Sequence, residues 1–173
     1  MRDISASTKT NQMKLVVNAS PLIILGKIGL IEVLPLMVDN LVIPMGVVSE
    51  VEKHKDDASM WVSKHKPRYS KAVDVIPQLI GAWDLGLGES EVIAFALQNN
   101  AYTVAIDDKA ARNCAMSMNI NVIGTIGLIV LAKRKKHIID VEPYLNNLIG
   151  AGYRISQSLV ESAIRSANDK AKP

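Results

Sequence analysis

Acidic and amide side chains stand at the ends of two segments that read as buried strands, Leu15-Val16-Val17-Asn18 and Thr103-Val104-Ala105-Ile106-Asp107-Asp108. A third acidic group, Gly88-Glu89-Ser90-Glu91, opens the helix that precedes the second strand. The carboxyl ends of strands in a parallel sheet lie along one edge, where ligands of open α/β sheets bind, so these side chains can converge on one crevice. Acids gathered there repel one another unless a cation joins them. Their convergence points to a divalent metal site.

The elements that must position these groups follow from the pattern of apolar residues. Leu15 to Val17 is a short run suited to burial on both faces, and Ser20-Pro21 supplies an N-cap and a first-turn proline for a helix over residues 22–28. After Gly29 a second apolar helix is expected over 30–38, then a strand at Leu41-Val42-Ile43-Pro44, which makes a βαβ crossover. Val47, Val48 and Val51 have helical spacing against polar Glu50, Glu52, Lys53 and His54, so residues 45–54 read as an amphipathic helix.

Residues 55–72 turn charged, with Trp61 and Val62 as anchors of a short surface helix followed by an exposed loop. Val73-Asp74-Val75-Ile76 reads as a strand, 77–87 as an irregular connection and 89–99 as a helix. A strand at 102–106, a helix at 108–118, a strand at 120–123 and a helix from Thr125 into Lys133-Arg134-Lys135-Lys136 continue the alternation. Two more helices, at 141–149 and 156–167, are joined by Gly150-Ala151-Gly152. Their apolar positions, among them Leu145, Leu148, Leu159, Val160 and Ile164, are expected to pack on the sheet layer or across a homodimer. This order means an α/β fold with a mostly parallel sheet covered on both faces.

With 173 residues, 49% hydrophobic and 21% charged, the chain can bury a sizeable core, and one domain over 13–167 is expected. The polar residues 1–12 read as a flexible tail and 168–173 as a frayed end. A single cysteine, Cys114, excludes an internal disulfide, and no stretch has the pattern of a signal core or a membrane span, so a cytoplasmic protein with no membrane partner is expected. The net charge of +3 is compatible with a polyanionic partner without requiring one.

Val16-Val17-Asn18-Ala19-Ser20-Pro21, then Ile43-Pro44 with Glu50, Trp83-Asp84-Leu85-Gly86-Leu87-Gly88-Glu89-Ser90-Glu91, Ile106-Asp107-Asp108-Lys109 and Gly124-Thr125 resemble, in this order and spacing, a PIN-domain protein. The resemblance spans residues 15–167 and is greatest to an uncharacterised prokaryotic branch, related to toxin-type ribonucleases, that is often encoded beside small antitoxin-like proteins. It implies a three-layer α/β/α fold with C-terminal helices, and a nuclease that sets four acidic residues around one or two Mg²⁺ or Mn²⁺ ions. Carried over position by position, those four fall on Asn18, Glu50, Glu91 and Asp108. Three match in type. Hard cations favour oxygen ligands, stabilise charge on a scissile phosphate and lower the pKa of bound water, which is why carboxylates are wanted there.

Each position also has a plainer reading. Glu50 is either a ligand or a solvated helix residue like Glu52. Glu89 and Glu91 lie two apart on one helical turn and cannot both face the crevice squarely; the family pattern selects Glu91 and leaves Glu89 as a cap or a supporting group. Asp108 is preferred as a metal ligand, Asp107 stands as a nearly equal second candidate, and one of the two can instead cap the next helix. Asn18 offers a neutral oxygen where the family has an acid, so metal affinity and turnover should be lower. Ser20 and Thr125 either support the ion or cap helices.

For RNA, the basic residues to examine are Arg112, the segment 64–71, and the run 133–136 with Lys133 and Arg134 foremost. Arg112 alternatively pairs with Asp108, and the lysine run alternatively complements a helix C-terminus. Aromatic residues make up 4%, so phosphate contacts should dominate over stacking. The expected function is a metal-dependent endoribonuclease, the toxin of a toxin–antitoxin pair, with RNA and a small antitoxin protein as partners. The alternative is a catalytically weak or inactive PIN-like module that binds RNA or a protein. A nucleotide-binding Rossmann-like module is disfavoured, because no glycine-rich phosphate loop follows a strand.

Overall fold

The computed structural model describes residues 13–169. The tail expected at 1–12 and residues 170–173 of the frayed end lie outside the described residues. Five parallel strands form the central sheet: β1 (Lys14–Val17), β2 (Asn40–Pro44), β3 (Ser70–Lys71), β4 (Tyr102–Ala105) and β5 (Val122–Ile123), in the order β3-β2-β1-β4-β5. Leu15, Val16 and Val17 of the central strand have no solvent exposure, as a strand covered on both faces requires. Helices cover both faces, giving a three-layer α/β/α arrangement.

The first helix, α1 (Ala19–Lys27), starts earlier than the Ser20-Pro21 pair suggests. Asn18 is its N-cap, extended at φ −84° and ψ 169°, which leaves exposed Ser20 inside the first turn rather than capping it. Pro21 is tolerated because first-turn N–H groups have no intrahelical partner. The helix expected over 30–38 is a 3₁₀ turn (Ile31–Val33) followed by the single turn α2 (Leu34–Met37), with Pro35 at its start. The amphipathic helix appears as α3 (Met45–Val51), with Val47, Val48 and Val51 buried.

The charged stretch departs most from expectation. Asp56 and Ser59 form a reciprocal capping box that opens α4 (Asp57–Tyr69), longer than a short surface helix. Ala58, Trp61 and Val62 bury one face of it, and Gly26 of α1 lets Ala58 approach so closely that a methyl at Gly26 would meet its N at 3.0 Å. The strand expected at 73–76 is displaced to β3, because α4 ends where Ser70 and Lys71 can pair with Ile43 and Pro44. Val75 is left 63% exposed. The connection 77–87 contains one helical turn, α5 (Gln78–Gly81), anchored by buried Ile80.

The remaining elements follow the expected order: α6 (Leu87–Gln98), α7 (Lys109–Ser117), α8 (Thr125–Arg134), α9 (Glu142–Gly150) and α10 (Gln157–Asn168). α10 packs on α8, burying Val160, Ala163 and Ala167. Among the described residues, no single helix is long and apolar enough to cross a membrane.

Candidate functional site

Four segments meet at the carboxyl edge of the sheet: the β1–α1 junction, α3, the start of α6 and the β4–α7 junction. Asn18 continues the pairing of β1, its N–H donating to Ala105 O at 3.0 Å. Its side chain is 4% exposed and makes no cap bond to α1, and Oδ1 has no hydrogen-bond partner. A buried carbonyl oxygen left unpaired costs about 1–3 kcal/mol, so this oxygen is open to a cation or donor that reaches it.

Gly88 shows what stands beside it. A methyl on Gly88 would lie 3.3 Å from Asn18 Oδ1, 3.0 Å from Glu50 Oε2 and 3.2 Å from Val47 Cγ2. The missing side chain lets α6 approach α3 and leaves the amide oxygen and the carboxylate around one point. Sequence reasoning passed over Gly88; its signal was the Gly86-Leu87-Gly88 spacing directly before the acids.

Glu91, the acid that the family pattern selects, is held by the neighbouring helix. It is 8% exposed, and its Oε2 accepts the backbone N–H of Gly46 at 2.7 Å. Gly46 lies in the first turn of α3, where N–H groups are otherwise unpaired, and the carboxylate also complements the helix dipole. A methyl at Gly46 would come within 2.8 Å of that oxygen. Glu91 thus clamps α6 to the start of α3, and α3 carries Glu50 one turn further on.

Glu89 is the acid that senses the others. Its Oε2 accepts from Gly86 N at 3.2 Å, the capping contact expected of it. Burial pushes its carboxyl above the ordinary value, the Gly86 bond acts against that, and the negative charges of Asp108 and Glu50 raise it further. Those charges bring Glu89, Asp108 and Glu50 into one electrostatic neighbourhood. Asp108 caps α7 with Oδ1, accepting from Ala111 N at 2.9 Å, so Oδ2 makes no capping bond.

Asp107 turns to the other side of β4. Both its oxygens accept from Thr125, from N at 2.8 Å and Oγ1 at 2.6 Å, tying the start of α8 to the end of β4. Thr125 is therefore spent on Asp107. Arg112 forms no ion pair with Asp108; its Nη1 donates to Ile106 O at 2.9 Å. Lys133 and Arg134 close the far end of α8, where Lys133 Nζ meets Asn168 Oδ1 at 2.6 Å and Arg134 Nη2 donates to Ser166 O at 2.6 Å. They fasten α10 to α8 at the opposite edge of the sheet from the acids.

Among the described residues, no three His, Cys, Asp or Glu side chains are gathered as a ready metal site. The oxygens at the crevice suit Mg²⁺ or Mn²⁺ in kind, and Oδ1 of Asn18 is buried there without a hydrogen-bond partner. Comparison with known families gives a match of the PIN-domain family over residues 14–169. No curated protein and no solved structure matches the chain.

Proposed function

Because this chain belongs to the PIN-domain family, whose fold is of nuclease type, we propose that it is a Mg²⁺- or Mn²⁺-dependent endoribonuclease working at the carboxyl edge of its sheet. The observation that carries this reading is the buried, unpaired Oδ1 of Asn18 beside the Glu50 carboxylate. Asn18, Glu50 and Asp108 would hold the ion, with Glu89 next to them. When bound, the ion supplies charge stabilisation to the scissile phosphate and lowers the pKa of a water.

The chain's own residues then divide the work. Glu91 fixes α3 and with it the reach of Glu50. Glu89 has Oε1 left free by its Gly86 bond, and a carboxyl raised by burial is a better proton acceptor from an attacking water than an ordinary one. A cytoplasmic toxin held in check by a small antitoxin-like protein, and acting as a homodimer, is the biological setting we propose for this activity.

A second reading has its own support. Asn18 brings no charge where the family has an acid, which favours a PIN-like module that binds RNA or a protein with little cleavage. Titration calorimetry with Mn²⁺ and a cleavage assay on single-stranded RNA separate the two. The nuclease reading expects Asn18→Asp to bind Mn²⁺ more tightly and cleave faster, and Asn18→Ala to weaken binding. Intact RNA at millimolar Mn²⁺ with wild type and Asn18→Asp alike would refute the nuclease reading.

A further inference from the structure

A groove of about 450 Å³ runs along the open edge of β5, and Asp107, the chain neighbour of Asp108, forms its end toward the acids. Ile123, Val130, and Leu159 and Ala163 of α10 give it apolar lining, and Arg112 and Asp107 give it charged groups. That size and composition suit a small planar ligand: apolar surfaces for its faces, and a few fixed polar groups for its edge.

The polar end is built to a tight tolerance. A methyl on Gly124 would sit 3.1 Å from both Arg112 Nη1 and Asp107 Oδ1 and would push these two side chains aside by a few tenths of an ångström. Arg112 spends Nη1 on Ile106 O, and the rest of its guanidinium fork remains to donate. Asp107 receives one bond from Thr125 on each oxygen, and each oxygen keeps acceptor capacity. A donor and an acceptor thus meet at Gly124 in a groove that also carries apolar lining. The edge of a nucleobase carries the complementary acceptor and donor, its faces are apolar enough for that lining, and a guanidinium plane also stacks on bases.

We infer that this groove binds the base of a nucleotide flanking the scissile phosphodiester and gives the enzyme a base preference at that position. The inference rests on the nuclease reading of the acidic crevice, since Asp107 and Asp108 are what join groove and crevice along one strand end. It adds one position of base readout to a protein whose few aromatic residues otherwise leave recognition to phosphate contacts.

The test uses protein labelled at Ile, Leu and Val methyls, titrated without metal with each of the four ribonucleoside 5′-monophosphates and followed by NMR. Saturable shifts are expected at Ile123, Val130 and Leu159, with about a tenfold difference in affinity between the best and worst bases, the scale of one unmet hydrogen bond. Ser162→Trp, which places an indole in the groove from an exposed position on α10, should abolish those shifts and keep the melting temperature. In the cleavage assay the same variant should flatten the base preference. Groove methyls that stay still with all four nucleotides would overturn the inference, as would equal affinity for all four. Because this titration needs no catalysis, an RNA substrate left uncut by the wild type would strike the nuclease reading and leave the result on the groove intact.

Discussion

The sharpest perturbation exchanges the roles of two glutamates on one helical turn. If Glu91 is a clamp and Glu89 a member of the crevice, Glu91→Gln should lower the stability of the metal-free protein and leave Mn²⁺ binding largely in place. The clamp is a charge-assisted bond of 2.7 Å to Gly46 N in a site only 8% exposed. Bonds of that kind contribute about 1.5–3 kcal/mol and neutral ones about 0.5–1.5, so the amide should cost about 1 kcal/mol. In a protein of this size that lowers Tm by about 2–4 °C. Glu91→Ala removes the acceptor altogether and should cost about 1–3 kcal/mol, as Gly46 N–H then loses its partner in a part-buried site. Glu89→Gln should do the reverse, keeping or raising the metal-free Tm and weakening Mn²⁺ binding. Thermal melts with and without Mn²⁺, together with calorimetry on both variants, give all four quantities. An unchanged metal-free Tm for Glu91→Gln with loss of Mn²⁺ stabilisation would refute this assignment and return Glu91 to the metal.

The raised carboxyl of Glu89 sets a pH dependence: an acid that holds its proton more tightly when folded stabilises the fold below the ordinary value of 4.5, and that contribution is lost as pH rises through its folded pKa. Melts across pH should therefore show Glu89→Gln gaining on the metal-free wild type as pH rises above that range, and a gap independent of pH would contradict it. Gly88→Ala puts a methyl 3.0 Å from Glu50 Oε2 and should weaken Mn²⁺ binding several-fold by calorimetry, with a stability loss of about 1 kcal/mol for the tight contacts. Arg134→Ala should cost about 1 kcal/mol in urea unfolding, because it frees Ser166 and the end of α10, while leaving the salt dependence of RNA binding unchanged.

Much of this protein was legible in the chain alone. Short β-branched runs alternating with helices of ten or so residues admit little but a parallel sheet between two helical layers, and such a sheet sends the residues after its strands to one edge. Asn18 and Asp108 were placed there by that rule, because strand direction is a property of the backbone and needs no neighbour to define it. Glu89 and Glu91 were legible as candidates at a helix start, whereas Glu50 stood out from a solvated residue such as Glu52 only through the family resemblance.

What tertiary structure decided was which oxygen meets which partner. Glu89 and Glu91 differ by two positions, and nothing in α6 itself says that the first turn of α3 will present the Gly46 N–H to one of them. Asp107 and Asp108 are adjacent, yet one is taken by Thr125, eighteen residues on, and the other caps its own helix. Lys133 and Arg134 look free in sequence and are committed to Asn168 and Ser166, more than thirty residues away. The strand expected at 73–76 moved for the same reason, since a two-residue edge strand is fixed by what β2 offers to pair with and not by its own apolar pattern. Periodicity determines the face a side chain leaves from, whereas its hydrogen-bond partner depends on distances between elements that only packing sets.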